Sequence, residues 1–111
     1  MHIYDTANKL AAEIKNSKEY LEYKRIKDEV YNNIELKEKM EKFTKLRYEI
    51  QVEQIQAKEE NKTKVEEFQK MYLEMIKDEK IKIYFEAELK FNVLLTDVNK
   101  IIGEAVQDVI K

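Results

Sequence analysis

The chain has 111 residues, 40% of them charged and 43% hydrophobic, with one glycine, no proline and no cysteine. The scarcity of turn residues excludes an all-β fold, and the lack of cysteine excludes disulfides and thiolate-held zinc or iron–sulfur sites. With 21 basic and 23 acidic residues the net charge is −2, so no overall field attracts nucleic acid or an anionic membrane. The composition predicts a single all-α domain over residues 1–111.

Two short helices are predicted at the start of the chain. Asp5 is expected to cap the first helix. The apolar residues of this helix recur at helical spacing: Ala7, Leu10, Ala11 and Ile14. Asn16 is expected to end it, and Ser17 to cap the second helix. The pair Asn32 and Asn33, which tolerates turn conformations, is expected to end the second helix.

A helical hairpin is predicted in the middle of the chain. The third helix should run from Ile34 to about Glu59, and a connection at residues 60–62 should lead to a fourth helix capped by Thr63. The apolar residues of both helices are spaced for antiparallel packing against each other. They are Leu36, Met40, Phe43, Leu46, Ile50 and Ile55 in the third helix, and Val65, Phe68, Tyr72, Met75 and Ile76 in the fourth.

Asp78 is the predicted cap of a long C-terminal helix. The stretch "IKDEKIKIY" around it contains no helix breaker, so the fourth and fifth helices could also form one continuous rod. The predicted fold is therefore all-α, with four to five helices in an antiparallel bundle or hairpin and a long last helix.

The last helix carries more apolar residues than one packing stripe needs. A first row, with spacings of three and four, is expected to face the domain's own core: Tyr84, Ala87, Phe91, Leu94, Val98, Ile101 and Ala105. A second row widens the apolar arc beyond about 100°: Phe85, Leu89, Leu95, Ile102, Val106 and Ile110. The first two helices are too short to cover the last one, so we expect a second copy or another protein to cover the second row.

The predicted self-association residues of a dimer or higher oligomer come from the second row and its neighbours, with Phe91 added from the first row: Phe91, Asn92, Leu95, Asn99, Ile102 and Val106. Asn92 and Asn99 are one heptad apart. Paired across a dimer, they would fix its register. The alternative is that both lie at the solvated edge of the apolar stripe.

The polar end of the hairpin is a candidate surface for a different partner protein. Gln51, Gln54 and Gln56 take the place of apolar residues there, followed by charged residues 58–60 and by Asn61. These residues form either a recognition surface or a loose end, because low contact density alone also predicts such a composition.

No catalytic, metal-binding or cofactor-binding constellation is present in the sequence. The single histidine, His2, lies at a terminus prone to fraying, and Glu-x-x-His pairs, phosphate-binding glycine loops, GxSxG and HExxH are all missing. The sequence therefore predicts a non-enzymatic protein without a metal or cofactor. Direct RNA binding is the alternative function, through basic residues of the third helix that alternate with glutamates. They are Lys37, Lys39, Lys42, Lys45 and Arg47.

Targeting signals are equally sparse. The N-terminus lacks a basic region followed by an apolar one, and no apolar run reaches the roughly 18 residues of a membrane span. The lack of cysteine fits a reducing compartment. We expect a cytoplasmic protein without a membrane partner.

Two segments resemble the signature blocks of a known family. They are "IYDTANKLAAEIKNSKEYLEYK" near the start and "YFEAELKFNVLLTDVNKII" near the end, and together they span nearly the whole chain. In these segments the chain is similar to the YlbF/YmcA family of small bacterial helical proteins, especially its YheA-like branch. The resemblance implies a bundle-like protein that self-associates and has no enzymatic activity.

The resemblance also implies a regulatory role. Other branches of the family act as adaptors in a complex that modulates ribonuclease-dependent mRNA processing, and through it competence, sporulation and biofilm formation. In those branches cysteines help to hold iron–sulfur clusters. This chain has no cysteine, so the cluster does not carry over and the implied adaptor role is weakened.

Overall fold

The computed structural model describes residues 2–56 and 62–110. Five helices follow one another: α1 (Ile3–Lys15), α2 (Lys18–Tyr31), α3 (Ile34–Ile55), α4 (Lys62–Met75) and α5 (Glu79–Ile110). No strand occurs among the described residues, and the predicted all-α fold with a long C-terminal helix is confirmed. The predicted end of the third helix at Glu59 lies outside the described residues, as does most of the predicted connection at 60–62.

Side-chain caps set three helix starts. Ser17 Oγ before α2 and Asn33 Oδ1 before α3 each accept a hydrogen bond of 3.1 Å from the backbone N–H three residues further on. Asp78 Oδ1 accepts one of 2.9 Å from the backbone N–H of Lys80, which starts α5 anew. The predicted caps Ser17 and Asp78 are confirmed, and the alternative of one fused rod is wrong.

Two other predicted caps are wrong. Helix α1 begins at Ile3 with His2 at the N-cap position, so Asp5 lies inside the first turn. Its carboxylate still interacts favourably with the positive end of the helix dipole there. No proline or glycine precedes Asp5, and therefore nothing prevents an earlier start. Likewise, α4 begins at Lys62 and Thr63 is its second residue.

Residue contacts divide the chain into two compact units, residues 1–27 with 84–111 and residues 28–83. The prediction of a single domain stays a prediction. In the unit of residues 28–83, α3 and α4 pack antiparallel, as predicted. Late in α3, Glu53 Oε1 lies 2.8 Å from the Nζ of Lys64 early in α4, while the Phe43 ring stacks on the Phe68 ring with centroids 4.7 Å apart.

The buried core of this second unit is entirely apolar: Val30, Leu36, Met40, Phe43, Leu46, Met75 and Ile81. The last predicted member of the α3 stripe, Ile55, is exposed. Burial therefore stops before α3 ends, which agrees with the predicted thinning of the stripe towards that end.

In the other unit, α2 contacts the first part of α5 through aromatic side chains. The Tyr23 ring centroid lies 5.6 Å from that of Tyr84 and 5.7 Å from that of Phe91, and Tyr20 meets Phe91 edge-on at 5.8 Å. The Tyr23 hydroxyl also donates to Glu88 Oε2 at 3.3 Å. Edge-to-face rings are favourable partners, so these contacts position the first part of α5 against α2.

Candidate self-association surface

Beyond Val98, α5 presents an apolar face to solvent. Ile101, Ile102, Ala105, Val106 and Val109 share one side of the helix, and we call these five residues the α5 end surface. The four large side chains among them are between 43% and 81% exposed, and Ala105 is exposed as well. The apolar spacing that places Tyr84 and Phe91 against α2 thus continues to the end of α5. There, no other described part of the chain covers it.

The sequence-based assignment of Ile101 and Ala105 to the chain's own core is wrong. The spacing of apolar residues along α5 is unbroken, but a residue is buried only where another helix packs beside that turn of α5. Helix α2 has 14 residues and α5 has 32, which correspond to about 21 Å and about 48 Å. The length difference explains why the first row is buried at Tyr84 and Ala87 and exposed at its far end.

The predicted self-association residues differ in exposure. Asn92, Asn99, Ile102 and Val106 are exposed, and Phe91 and Leu95 are half-buried. The Phe91 ring already contacts two tyrosines of α2, whereas Ile102 and Val106 belong to the α5 end surface. Their role in self-association stays a prediction. Sequence reasoning did not include Val109, although its spacing of seven from Ile102 was a usable signal.

The α5 end surface is entirely apolar. Its side chains carry no charge, and charged residues border it, among them Lys100, whose Nζ is 3.9 Å from Glu104 Oε1. An apolar face bordered by polar groups binds by removing its surface from water. Over residues 2–56 and 62–110, no group of three or more His, Asp or Glu side chains could hold a metal ion.

The predicted partner tip is only partly described. Gln51, Gln54 and Gln56 are exposed around the end of α3, and residues 58–61 of the tip lie outside the described residues. Partner recognition by these glutamines stays a prediction.

A charged cluster that sequence reasoning missed lies close to the tip in sequence. Lys64 of α4 donates a hydrogen bond of 2.8 Å to Glu53 Oε1 and has its Nζ 3.6 Å from Glu49 Oε2. The hydrogen bond to Glu53 raises the pKa of Lys64 above its usual 10.5, because it stabilises the charged ammonium. The cluster joins the polar ends of α3 and α4. The sequence contained one signal for this cluster: Glu49 and Glu53 are four residues apart and so lie on the same side of α3.

The basic residues of α3 do not share one face. Lys39, Lys42 and Lys45 are exposed and three residues apart, so they lie along one edge. The Nζ of Lys37 is 4.0 Å from a glutamate one turn further on, and the Arg47 guanidinium lies 5.4 Å from the centre of a core phenylalanine ring. This geometry gives direct RNA binding no particular support.

The fold defines a small all-helical protein whose last helix presents an apolar face to solvent. None of the described helices has the length and apolar content that a membrane span needs. The chain belongs to the YlbF/YmcA family: the family described as "Control of competence regulator ComK, YlbF/YmcA" matches residues 3–107. The family prediction is confirmed, and the YheA-like branch stays a prediction.

Relatives in sequence are UPF0342 proteins from bacteria. One from Halothermothrix orenii is 36% identical over 102 residues, which cover 92% of this chain and 86% of the relative. One from Symbiobacterium thermophilum is 35% identical over 104 residues, which cover 94% and 93%. The similarity thus extends over most of this chain and most of each relative.

Two solved structures share the fold. One is a protein of unknown function (DUF964) from Bacillus stearothermophilus, with a TM-score of 0.85, 14% identity, and coverage of 100% of this chain and 97% of the other. The other is a chain of the crystal structure of Bacillus subtilis RicA in complex with RicF, with a TM-score of 0.63, 19% identity, and coverage of 99% and 97%. At these identities the likeness concerns the fold alone.

Proposed function

We propose that the chain is a non-enzymatic regulatory adaptor of the cytoplasm that self-associates, as a dimer or larger assembly, through the α5 end surface. The observation that carries the proposal is the exposure of this surface. Monomeric soluble proteins rarely expose a contiguous apolar patch larger than a few hundred Å², and larger patches usually mark interfaces. Ile101, Ile102, Val106 and Val109 form a contiguous exposed apolar strip along about 12 Å of helix.

Covering the surface is energetically favourable. Burial of apolar area contributes about 25 cal/mol per Å². If each of two chains buries on the order of 300 Å², a typical size for an exposed patch, the gain is roughly 15 kcal/mol. Lost translational and rotational freedom offsets about 4–15 kcal/mol of it. A contact of about 600 Å² in total lies below the roughly 1,200 Å² of a stable interface, so the α5 end surface alone supports at most weak self-association, and a tight assembly needs further contact area.

The regulatory part of the proposal is supported by the family and by one structural neighbour. The family is described as control of the competence regulator ComK, and the structural neighbour is a chain of a complex between RicA and RicF. A protein hetero-partner and a link to ribonuclease-dependent mRNA processing, as the family resemblance implies, belong to the proposed role. The chain has no cysteine, so the role is proposed without an iron–sulfur cluster.

Sedimentation equilibrium or light scattering of the purified chain tests self-association. We expect the mass of a dimer or larger assembly at micromolar concentrations, with a shift to single chains on dilution, because the apolar contact forms only between copies. A constant mass near 13.4 kDa, independent of concentration, would overturn the proposal.

A further inference from the structure

Helix α1 has an apolar face that its own chain does not bury. Six residues share this side of the helix, and we call them the α1 face: Ile3, Tyr4, Ala7, Leu10, Ala11 and Ile14. None of the 13 residues of α1 is buried. Ile3 is 64% and Tyr4 84% exposed, and only Leu10 and Ile14 are half-buried. Helices of this length are marginal in water unless an apolar face is packed, so the α1 face requires a partner.

The α1 face and the α5 end surface have matching dimensions. Both lie in the unit of residues 1–27 and 84–111. From Ile3 to Ile14, the α1 face is about 17 Å long. From Val98, where burial on α5 ends, to Val109, the apolar side of α5 has the same length of about 17 Å. Each face is therefore long enough to cover the other completely.

Charge favours a contact between these two faces over a contact between two α5 ends. Residues 97–110 contain three acids (Asp97, Glu104, Asp108) and one base (Lys100), a net charge of −2. Helix α1 contains two acids (Asp5, Glu13) and two bases (Lys9, Lys15), so it has no net charge. Pairing two α5 ends brings two negative segments together, and like charges in close contact repel each other. Pairing α5 with α1 avoids this repulsion.

We propose that α1 of one chain packs its apolar face on the α5 end surface of a second copy. The inference rests on the proposed self-association and names the two surfaces that meet. A two-fold axis repeats the contact, with α1 of the second copy on α5 of the first. Each chain then covers both of its exposed faces, which brings the buried area towards the standard of about 800 Å² per partner. A contact between two α5 ends covers only one face per chain.

Cysteine cross-linking tests this arrangement, since the natural chain has no cysteine. An Ala11→Cys chain, isotope-labelled for identification by mass, is unfolded and refolded together with an unlabelled Ala105→Cys chain and treated with a short bis-maleimide. Ala11 lies on the α1 face and Ala105 on the α5 end surface, so we expect the mixed cross-linked pair as the main product. The matched control replaces Ala11→Cys with Ala12→Cys, whose position is also exposed but is turned about 100° away from the face. We expect about tenfold less mixed product with this control.

The outcomes separate this inference from the proposed function. If Ala105→Cys cross-links mainly to itself, and the mixed product stays at the level of the Ala12→Cys control while light scattering still shows an oligomer, the α1–α5 contact is overturned and self-association stands. If light scattering of the parent shows single chains only, both fall. Circular dichroism of each variant, with unchanged helicity, shows that the substitutions leave the fold intact.

Discussion

Phe43→Ala is expected to lower the free energy of unfolding by about 3–5 kcal/mol, the usual cost of removing a buried aromatic ring. The Phe43 side chain is 2% exposed, its ring stacks on Phe68 at 4.7 Å, and the Arg47 guanidinium covers it at 5.4 Å. The substitution therefore leaves a cavity between α3 and α4 and removes a favourable ring pair. For a chain of this size the melting temperature should fall by roughly 12–20 °C.

Tyr48→Ala is the matched control, because it also removes an aromatic ring from α3. Tyr48 is 66% exposed, so the expected change in free energy is within about 0.5 kcal/mol. Thermal unfolding followed by circular dichroism, at one fixed protein concentration, compares both variants with the parent. Equal and small shifts for the two substitutions would show that the α3–α4 core does not hold the hairpin together.

The combined substitution of Ile102→Glu and Val106→Glu is expected to convert the assembly into single chains. A buried apolar side chain of this kind contributes about 1.5–3 kcal/mol, and both residues are already about half covered in the single chain, at 53% and 43% exposed. Each substituted side chain therefore removes about 1 kcal/mol from the free energy of association, and a dimer contains four of them. The cost of burying the new charges adds to this loss. A total of about 4 kcal/mol weakens association by roughly a thousandfold.

Gln107→Glu adds a negative charge to the same turn of α5, on its polar side, and should leave the oligomer mass unchanged. Because Ile102 and Val106 are exposed in the single chain, the double variant should also keep the helicity of the parent. Light scattering measures the mass and circular dichroism the helicity. A double variant that keeps the parent's mass would show that the α5 end surface is not part of the interface.

The local features of the fold could be predicted from sequence because their signals are local. Ser17 and Asp78 cap helices through hydrogen bonds to backbone groups two or three residues away, and such contacts need no tertiary information. The prediction that Asp5 caps the first helix was wrong because the sequence poorly specifies where a helix starts when no proline or glycine stands before it. The helix could begin at Ile3 without loss of the favourable acidic residue in its first turn.

The candidate surface could be predicted only in part, because burial is not a property of one helix. The spacing from Tyr84 to Ala105 is regular throughout, yet the side chains are buried only where another helix reaches them. The same holds for α1, whose spacing predicts an apolar face and says nothing about whether its partner lies in the same chain. Helical periodicity therefore identified Ile102 and Val106 as surplus apolar residues and missed the exposure of Ile101 and of the α1 face.

Hydrogen exchange measured at several protein concentrations tests most directly whether a second copy covers α1 and the end of α5. A helix whose apolar face is uncovered opens locally at a low free energy, so its amides exchange quickly. If a second copy covers them, the amides of α1 and of residues 98–109 should exchange slowly in concentrated solution and faster on dilution. The amides around Tyr23 and Tyr84 serve as an internal reference, because their contacts lie within one chain, and their exchange should change less. Exchange in α1 and residues 98–109 that does not depend on concentration, under conditions where the reference amides are protected, would contradict the assembly.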